Sequence, residues 1–572
     1  MNTVQEERKL TGYPSIDKPW LKYYTKEQIE APLPHMTAYE YLQKKNKDHL
    51  ELDAIDSDFG NFTYKKLFEM IERTALSLYK FGVQKGEIAL CMLPVMPHES
   101  FIFYAVDKVG AAMSQLPPQS TIDEICNTIT KFDAKVFFVF DAFITAETEQ
   151  SIYQNTNLNY IIQIGFAPSK IRDKRTISWD EFLEIGANTM LPKIERKPED
   201  LLFIAGTGGT TGAPKNVMLN DNCFNIIVHQ YVNSELNYNA GDRWLRLWPI
   251  FSATAAVSNH HLPLCVGTNN LIRQFPLNIC DFDKMILKDR PNHIVMIPQL
   301  LDVLEKSKLL ADEDLGFIKT AGCGGLSITA QFENRVQKFF EKHNINTFLG
   351  YGWGCTENTS SAAMRSNFKT TRIGAIGVPL VQTIVSVFAP GTSEEKRYSE
   401  EGELCINSKT LMMGYYEDED LTKGAIKVHA DGSLWLHTGD LGTISEDGFV
   451  TVSGRMTRVI FVFPTAKIYP QAIENKLSKV LGVREVAVCE TPDLEHDGFF
   501  LPVCFIVADK GYDLENIKDR VNQLCTEELP EYSRPREVFF KEYFPLTKVG
   551  KVDYRALEAL ATEMLAEKEK KQ

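Results

Sequence analysis

Along the first part of the chain, segments with apolar residues at helical spacing alternate with short, mostly apolar runs. After Thr63, apolar side chains recur every three to four residues, which predicts an amphipathic helix that ends at Gly82. Its apolar positions are Leu67, Met70, Ile71, Leu78 and Phe81. Residues 88–93 and 135–140 are short, mostly apolar runs that predict strands, and a further helix begins at Pro97. This alternation of strands and helices predicts an α/β domain with mostly parallel sheets.

The most informative stretch lies at residues 201–217. An apolar run at 201–205 has the length of a buried strand. The loop that follows contains Gly206, Thr207, Gly208, Gly209, Thr210, Thr211 and Gly212, and it closes on Pro214 and Lys215. Glycines let backbone N–H groups approach an anion, while threonine and lysine add donors and positive charge. The loop therefore predicts a polyphosphate site, in preference to a surface hairpin without a ligand. It is not a Walker A loop, because Lys215 follows a proline and no Ser or Thr comes after it.

Composition and charge exclude several classes of protein. The 572 residues are 44% hydrophobic, and the formal net charge of −14 argues against nucleic acid as the main partner. No apolar run approaches about 18 residues, so no membrane-spanning helix is expected. The 11 cysteines are scattered without a CxxC pair, and the N-terminus is charged, unlike a secretory signal. These features predict reduced thiols in a cytoplasmic protein.

Six separated segments resemble motifs of the adenylate-forming superfamily, which includes acyl-CoA synthetases, peptide-synthetase adenylation domains and firefly luciferases. The segments are LLFIAGTGGTTGAPK at 201–215, GYGWGCTE at 350–357, WLHTGDL at 435–441, Gly454-Arg455, PQAIENKL at 470–477 and PLTKVGK at 545–551. Their order and spacing suit that superfamily over essentially the whole chain. The phosphate loop departs from the usual pattern at Gly208, where a serine is usual, and at Asn216, where a glycine is usual.

The resemblance implies an α/β fold in two parts. A large N-terminal domain would have mostly parallel sheets plus a distorted barrel, and a small, mobile α+β domain would follow. We expect the large AMP-binding domain, which would hold ATP and the acid, at residues 1–456, and the lid domain with the catalytic lysine at 457–572. Gly402-Glu403-Leu404 and Gly414-Tyr415-Tyr416 match landmarks of the superfamily, for which we expect structural roles.

The resemblance also implies which residues bind ATP and Mg²⁺. Thr356 would bond the α-phosphate, and Glu357 would hold Mg²⁺, a cation suited to carboxylate and phosphate oxygens. Asp440 would accept both ribose hydroxyls, and Arg455 would reach the ribose and phosphate. The expected cofactor-binding residues are Thr207, Gly208, Gly209, Thr210, Thr211, Gly212, Gly322, Cys323, Gly324, Gly352, Trp353, Asp440 and Arg455. Taken without the resemblance, Thr356-Glu357 would be a helix N-cap and Asp440 the cap of a turn.

Catalysis is expected to rest on charge neutralisation. Lys551, in the small domain, would touch both the substrate carboxylate and the α-phosphate as charge builds in the transition state. Lys215, Thr356 and Glu357 complete the expected catalytic set, with Glu357 also the metal ligand. Without the resemblance, a lysine in such a turn would be a solvated surface residue.

The resemblance further implies that the acid binds against residues 248–256, WPIFSATAA. Relatives that activate amino acids place an aspartate after the phenylalanine, whereas this chain has Ser252. Because a buried ammonium without a counter-charge is costly, an α-amino acid is disfavoured and a fatty or aryl acid is expected. The expected pocket residues are Phe251, Ser252, Thr254, Ala255, Gly325 and Gly354. His260 and His261 follow closely, and we interpret both as structural.

Two departures affect the second half-reaction. In the superfamily the hinge position is usually Asp or Lys, and here it is Thr457. A glycine beside the pantetheine channel is also replaced, by Thr465 in our alignment.

The first hypothesis for the function is an acyl-CoA ligase that uses ATP, Mg²⁺ and CoA. The second is a free-standing enzyme that loads the acid onto the phosphopantetheine of a carrier protein. The third is a nucleotide-binding homologue with impaired catalysis. The acid, the acceptor and the oligomeric state are not predicted by the sequence.

Overall fold

The computed structural model describes residues 10–165, 173–207, 215–273, 281–324, 328, 330–456, 458–462, 466–496, 498–547 and 551–569. Gly208 to Gly212, Gly325, Thr457 and Thr465, which were predicted to bind ligands or to form the hinge and channel, lie outside the described residues.

The strands are numbered in chain order. They are β1 Asp53–Ser57, β2 Gly60–Thr63, β3 Ile88–Met92, β4 Ala112–Gln115, β5 Val136–Phe140, β6 Tyr160–Ile164, β7 Thr176–Ser178, β8 Leu201–Thr207, β9 Lys215–Asn220, β10 Arg243–Arg246, β11 Asn269–Ile272, β12 His293–Met296, β13 Thr320–Cys323, β14 Leu349–Gly354, β15 Ser361–Met364, β16 Val378–Pro379, β17 Ile384–Phe388, β18 Gly402–Asn407, β19 Gly414–Tyr415, β20 Ile426–Val428, β21 Leu434–Ile444, β22 Val450–Arg455, β23 Ile460–Val462, β24 Ala466–Ile468, β25 Val483–Pro492, β26 Phe500–Ala508 and β27 Val538–Lys541.

The α-helices are numbered in the same way. They are α1 Pro14–Asp17, α2 Lys26–Glu30, α3 Ala38–Asn46, α4 Tyr64–Lys80, α5 Pro97–Lys108, α6 Ile122–Phe132, α7 Ala146–Asn155, α8 Trp179–Gly186, α9 Asp221–Val232, α10 Ala253–Ala256, α11 Leu262–Cys265, α12 Phe282–Asp289, α13 Pro298–Lys306, α14 Ala330–Lys342, α15 Glu419–Ala425, α16 Pro470–Leu477, α17 Leu514–Glu528 and α18 Tyr554–Glu569. A π-helical turn, Val257–His261, joins α10 to α11. None of the described helices has the length and apolar character needed to cross a membrane.

Two large, mostly parallel sheets form the first part of the molecule. One has the strand order β19-β9-β8-β4-β3-β5-β6-β7, and the other has the order β16-β15-β14-β13-β12-β10-β11-β1-β2. The main hydrophobic core joins them through residues of α3, α4, α5 and α9 that pack between the sheets. Smaller cores cover the outer face of each sheet. The predicted α/β class is confirmed.

A third, antiparallel sheet accounts for the distorted barrel. It has the order β17-β18-β21-β20, with β22 also paired to β21. The chain after β22 forms a smaller unit around the three-stranded sheet β25-β26-β27, with α16 and α17 packed on one face and α18 on the other. An ion pair links the two parts, with Arg335 Nη1 on α14 lying 3.4 Å from Asp509 Oδ1 just after β26.

The spacing of apolar residues along the chain predicted the bounds of several helices and strands closely. Helix α4 begins after Thr63, whose hydroxyl caps it, and ends at Lys80, two residues before Gly82. Strands β3 and β5 cover the two apolar runs except for one terminal residue each. Helix α5 begins at Pro97, where a missing N–H costs no intrahelical bond.

Candidate active site

The predicted phosphate loop is the tip of a β-hairpin. Strands β8 and β9 are antiparallel, and their last described pair is Thr207 opposite Lys215. The apolar residues of β8 between Leu202 and Ala205 are buried, so the hairpin is anchored in the core. Lys215 is exposed. The hairpin therefore holds the two ends of the loop at a fixed separation.

Lys215 and Glu357 are brought together by Tyr415. The Tyr415 hydroxyl donates to Glu357 Oε1 at 2.7 Å, and the Lys215 ammonium lies 5.3 Å from the centre of the Tyr415 ring. Strand β19 carries Tyr415 to this place by pairing with β9, where Tyr415 lies opposite Val217. Burial and the nearby Glu357 carboxylate raise the pKa of Tyr415, so the phenol remains a donor. Among the described residues, Oε1 is the one Glu357 side-chain oxygen with a hydrogen bond.

Thr356 and Glu357 begin a short 3₁₀ turn directly after β14. The turn is shaped by Gly354, because a Cβ on that residue would lie 2.0 Å from the Ser360 carbonyl oxygen of the facing chain. Gly352 is restricted in the same way by the Ser361 hydroxyl, at 2.6 Å from a Cβ position. Both glycines, predicted as ligand-binding residues, are thus required by the close approach of strand β15.

Asp440 lies inside the long strand β21. Its Oδ1 is 2.8 Å from Arg455 Nε on the neighbouring strand β22, and its Oδ2 accepts the indole N–H of Trp353 at 2.8 Å. Burial raises the pKa of Asp440, and Arg455 and the Trp353 hydrogen bond oppose that effect. Gly439, the preceding residue, has φ of +73°, a conformation that favours glycine. The predicted nucleotide residues Trp353, Asp440 and Arg455 are therefore in direct contact.

Lys551 reaches this group of residues from the smaller unit. Its backbone is held by Thr547, whose N–H donates to the Lys551 carbonyl at 2.7 Å. The side chain keeps access to solvent. The surrounding protein and the Arg455 guanidinium nevertheless lower the pKa of Lys551, while Asp440 and Glu357 act to raise it. The ammonium is thus placed among the residues predicted to bind ribose, phosphate and metal.

The predicted acid-binding segment covers the start of α10. The Ser252 hydroxyl accepts the Ala255 N–H at 3.3 Å and so caps this helix, while Thr254 is exposed and Phe251 is half-buried. Ser252 therefore has a local structural role in addition to the predicted one. Beneath the segment, the Ile250 N–H donates to Glu99 Oε1 at 3.2 Å. Glu99 is fully buried and pairs with the equally buried Arg246, with 2.9 Å between Oε2 and Nη2.

His260 and His261 are fully buried, as expected for structural residues. His260 Nε2 lies 3.0 Å from the Ser100 hydroxyl, and His261 Nε2 lies 2.9 Å from Asn225 Oδ1. Burial lowers the pKa of His261 to about 3, so this ring is neutral near pH 7.

Gly322, Cys323 and Gly324, which were predicted to bind the cofactor, lie at the end of β13. Cys323 is buried, and burial raises the pKa of its thiol to about 12. Gly322 packs against Val295 at ordinary contact distance, and a Cβ on Gly324 would meet no atom of the described residues within 4 Å.

A buried polar cluster lies behind the Asp440 strand. Glu403, Cys405 and His437 bring potential metal ligands to within 4.8 Å of one another. The same groups are already hydrogen-bonded: His437 Nδ1 donates to Glu403 Oε2 at 2.8 Å, and His437 Nε2 lies 3.1 Å from His429 Nε2. Sequence analysis noted Glu403 and Tyr415 only as structural landmarks. Nothing local in the sequence signals that each contacts a predicted ligand-binding segment, because the partners lie 36 and 58 residues away.

Comparison with known protein families identifies two matching models. The model described as "AMP-binding enzyme" matches residues 42–416, and the model described as "AMP-binding enzyme C-terminal domain" matches residues 472–551. The first match alone spans more than half of the chain.

Individual proteins match over nearly the full length. A 4-coumarate–CoA ligase 2 of Solanum tuberosum is 25% identical over 539 residues, which are 93% of this chain and 94% of the relative. A 4-coumarate–CoA ligase of Vanilla planifolia is 26% identical over 505 residues, or 87% of this chain and 88% of the relative. Among solved structures, the anthranilate CoA ligase AuaEII in complex with anthranoyl-AMP matches with a TM-score of 0.79, at 20% identity, over 93% of this chain and 99% of that one.

Proposed function

The chain belongs to the AMP-binding enzyme family, and on this premise we propose that it is an AMP-forming acid–thiol ligase. In the proposed reaction a carboxylic acid and ATP give an acyl-adenylate and pyrophosphate, and the acyl group then passes to the thiol of CoA. The full-length similarity to 4-coumarate–CoA ligases supports both steps.

One observation carries the proposal. The ammonium of Lys551, on the smaller unit, interacts electrostatically with Asp440, Glu357 and Arg455 on the larger one. A cation that arrives from a separately packed domain beside a proposed ribose ligand and a proposed metal ligand is suited to join an acid to the α-phosphate of ATP. We accordingly assign the large AMP-binding domain to residues 1–456 and the lid domain to residues 457–572.

The first step requires alignment and charge neutralisation more than a nucleophilic side chain. Asp440 would orient the ribose, and Lys215 with the hairpin tip would hold the phosphates. Lys551 would contact the attacking carboxylate and the α-phosphate together, so that negative charge developing on the phosphate meets a positive group already in place.

Glu357 is the residue that would hold Mg²⁺. Its Oε1 accepts the Tyr415 hydroxyl, which leaves Oε2 to face an ion, and a carboxylate oxygen is the kind of ligand that Mg²⁺ takes. A bound Mg²⁺ would neutralise phosphate charge. The protein's own contribution is to keep the Glu357 carboxylate pointed in one direction.

For the acid we propose a fatty or aryl carboxylate in preference to an α-amino acid. Ser252 stands where an ammonium would need a carboxylate, and this serine is already engaged as the cap of α10. The principal partners in this proposal are small molecules, and nucleic acid has no role. The reaction is placed in the cytoplasm.

The proposed function has two versions, which differ in the thiol that accepts the acyl group. Free CoA is the first choice, and carrier-protein phosphopantetheine is the alternative, because Thr457 and Thr465 replace residues that serve the thiol-transfer step in the superfamily. Purified protein should be supplied with ATP, Mg²⁺ and a panel of fatty, aryl and amino acids, first without and then with CoA.

Pyrophosphate release that depends on a fatty or aryl acid supports adenylation, and acyl-CoA in the products supports the first acceptor. Acyl-adenylate without acyl-CoA supports the carrier protein. No acid-dependent pyrophosphate release with any member of the panel would contradict the ligase and leave the catalytically impaired homologue.

A further inference from the structure

Asp440 projects from an irregularity in the sheet. On β18 a single residue, Leu404, separates Glu403 from Cys405, whereas three residues separate their partners Leu441 and His437 on β21. The additional residues interrupt the ladder between β18 and β21, and Asp440, which still pairs with Arg455 on β22, lies among them. Because a bulge re-aims side chains, the direction of the Asp440 carboxylate depends on how the bulge is held.

Glu403 holds the bulge from behind. Its Oε1 accepts the N–H of Gly439 at 3.0 Å, and its Oε2 accepts the Nδ1–H of His437 at 2.8 Å, so that one carboxylate spans both ends of the irregular segment. The Gly391 N–H adds a third contact at 3.2 Å. Burial acts to raise the pKa of Glu403, but these hydrogen bonds outweigh it and the pKa lies below its ordinary value. Glu403 is therefore a buried, ionised acceptor.

The other side of the cluster keeps His437 oriented. With Nδ1 donating to Glu403, His437 Nε2 accepts from His429 Nε2 at 3.1 Å, and the His429 ring is stacked on Trp435 at 5.6 Å. Every ring nitrogen of His437 and both oxygens of Glu403 thus have a protein partner. The cluster is complete without an ion, although its ligand types are ones that metals also accept.

We propose that Glu403 is a positioning residue for the nucleotide, which fixes the bulge that presents the Asp440 carboxylate to the ribose. This inference rests on the proposed function, because it takes Asp440 as the ribose ligand. Glu403 itself touches no substrate. It acts through the backbone N–H of Gly439, the residue immediately before Asp440.

The test compares binding of ATP and 3′-deoxy-ATP by isothermal titration calorimetry. Glu403→Gln should lower ATP affinity about 10-fold, since a hydrogen bond to a charged acceptor is weakened. Affinity for 3′-deoxy-ATP, which lacks one hydroxyl for Asp440, should fall much less. In an Asp440→Asn background, Glu403→Gln should add little further loss. Glu149→Gln is the matched control, because it removes another buried carboxylate that accepts a backbone N–H, far from these residues.

Several results would overturn the inference. These are an ATP affinity in Glu403→Gln equal to that of Glu149→Gln, equal losses for both nucleotides, and full additivity with Asp440→Asn. Should Glu403→Gln fail to fold by circular dichroism, His437→Phe serves instead, because it keeps Glu403 and removes one of its donors, and it should shift ATP affinity in the same direction by a smaller factor.

Two further measurements distinguish the positioning role of Glu403 from a failure of the proposed function and from metal binding by the cluster. If wild-type protein binds ATP with a preference for the 3′-hydroxyl but releases no pyrophosphate, the proposed function fails while the role of Glu403 stands. Titration of wild-type protein with Co²⁺ should give no thiolate-to-cobalt absorption band. A band that Cys405→Ser abolishes would assign the cluster to metal binding and overturn the positioning role.

Discussion

The hydroxyl of Tyr415 donates to Oε1 of Glu357 at 2.7 Å, although 58 residues separate them in the chain. The same ring faces the ammonium of Lys215 at 5.3 Å. One aromatic side chain therefore links the proposed metal ligand to the proposed phosphate-binding lysine, and it fixes which Glu357 oxygen remains available.

Removal of this hydroxyl should weaken metal-dependent catalysis. We expect Tyr415→Phe to lower pyrophosphate release about 10-fold at limiting Mg²⁺, because Glu357 loses the bond that orients it. Saturating Mg²⁺ should restore part of the rate. The assay is acid-dependent pyrophosphate release as a function of Mg²⁺ concentration. Tyr416→Phe is the control, since that ring packs against Phe132 instead. An unchanged Mg²⁺ dependence in Tyr415→Phe would show that the contact has no role.

Lys551 should be required for chemistry and not for nucleotide binding. Lys551→Ala is expected to lower acyl-adenylate formation about 100-fold or more, as for loss of a transition-state charge donor, and to leave ATP affinity nearly unchanged. Single-turnover formation of adenylate and calorimetric ATP binding measure the two effects. Lys510→Ala, at an exposed turn of the same unit, should match wild type. Normal adenylation in Lys551→Ala would disprove the assignment.

The pH dependence of adenylation should follow the Lys551 charge. Partial desolvation by the surrounding protein and the Arg455 guanidinium lower the pKa of Lys551, so activity should be lost, as pH rises, at a lower pH than an ordinary lysine near about 10.4 would give. Arg455→Met removes one of the two causes. We therefore expect the alkaline limb of its pH–rate profile to move to higher pH, whatever the change in overall rate. A limb that stays in place would mean that another group limits the reaction.

Trp353 should keep Asp440 ionised. Burial raises the pKa of Asp440, and the hydrogen bond from the Trp353 indole opposes this. Trp353→Phe retains an aromatic ring but removes the donor, which should raise the pKa further. Because ribose binding needs the carboxylate, ATP affinity should be lost on acidification at a higher pH than in wild type. Calorimetry between about pH 5 and 8 measures the shift, with Trp179→Phe as control.

The buried pair of Glu99 and Arg246 should matter for stability. Arg246→Met leaves a fully buried carboxylate without its partner, which should cost about 3–5 kcal/mol in the free energy of unfolding, measured by urea titration. The double variant with Glu99→Leu should recover much of this loss. Arg175→Met breaks a more exposed pair with Asp173 and should change stability by less than about 1 kcal/mol. Equal losses in the two single arginine variants would contradict this account.

Much of the fold follows from local sequence. Helix α4 and strands β3 and β5 are evident because period and turn residues are local properties, with Thr63 and Pro97 marking helix starts. The resemblance to known motifs predicted that Glu357, Asp440 and Lys551 share one site, and in the structure both carboxylates act electrostatically on Lys551.

What the sequence did not reveal are contacts between distant strands. Asp440 lies in a long strand whose ladder is interrupted, and Glu403 can bond the Gly439 N–H beside it only once β18 and β21 are paired. The role of Tyr415 likewise depends on β19 joining the edge of β9. The pattern of charges and the spacing of apolar residues along the chain do not show which distant strands pair.

The indole of Trp353 donates directly to the carboxylate proposed to receive the ribose. Fluorescence of an indole responds to the charge and hydration around its N–H group. Trp353 would therefore be an intrinsic optical reporter at the proposed ribose site, by which the arrival of ATP could be followed in stopped-flow experiments without any attached dye.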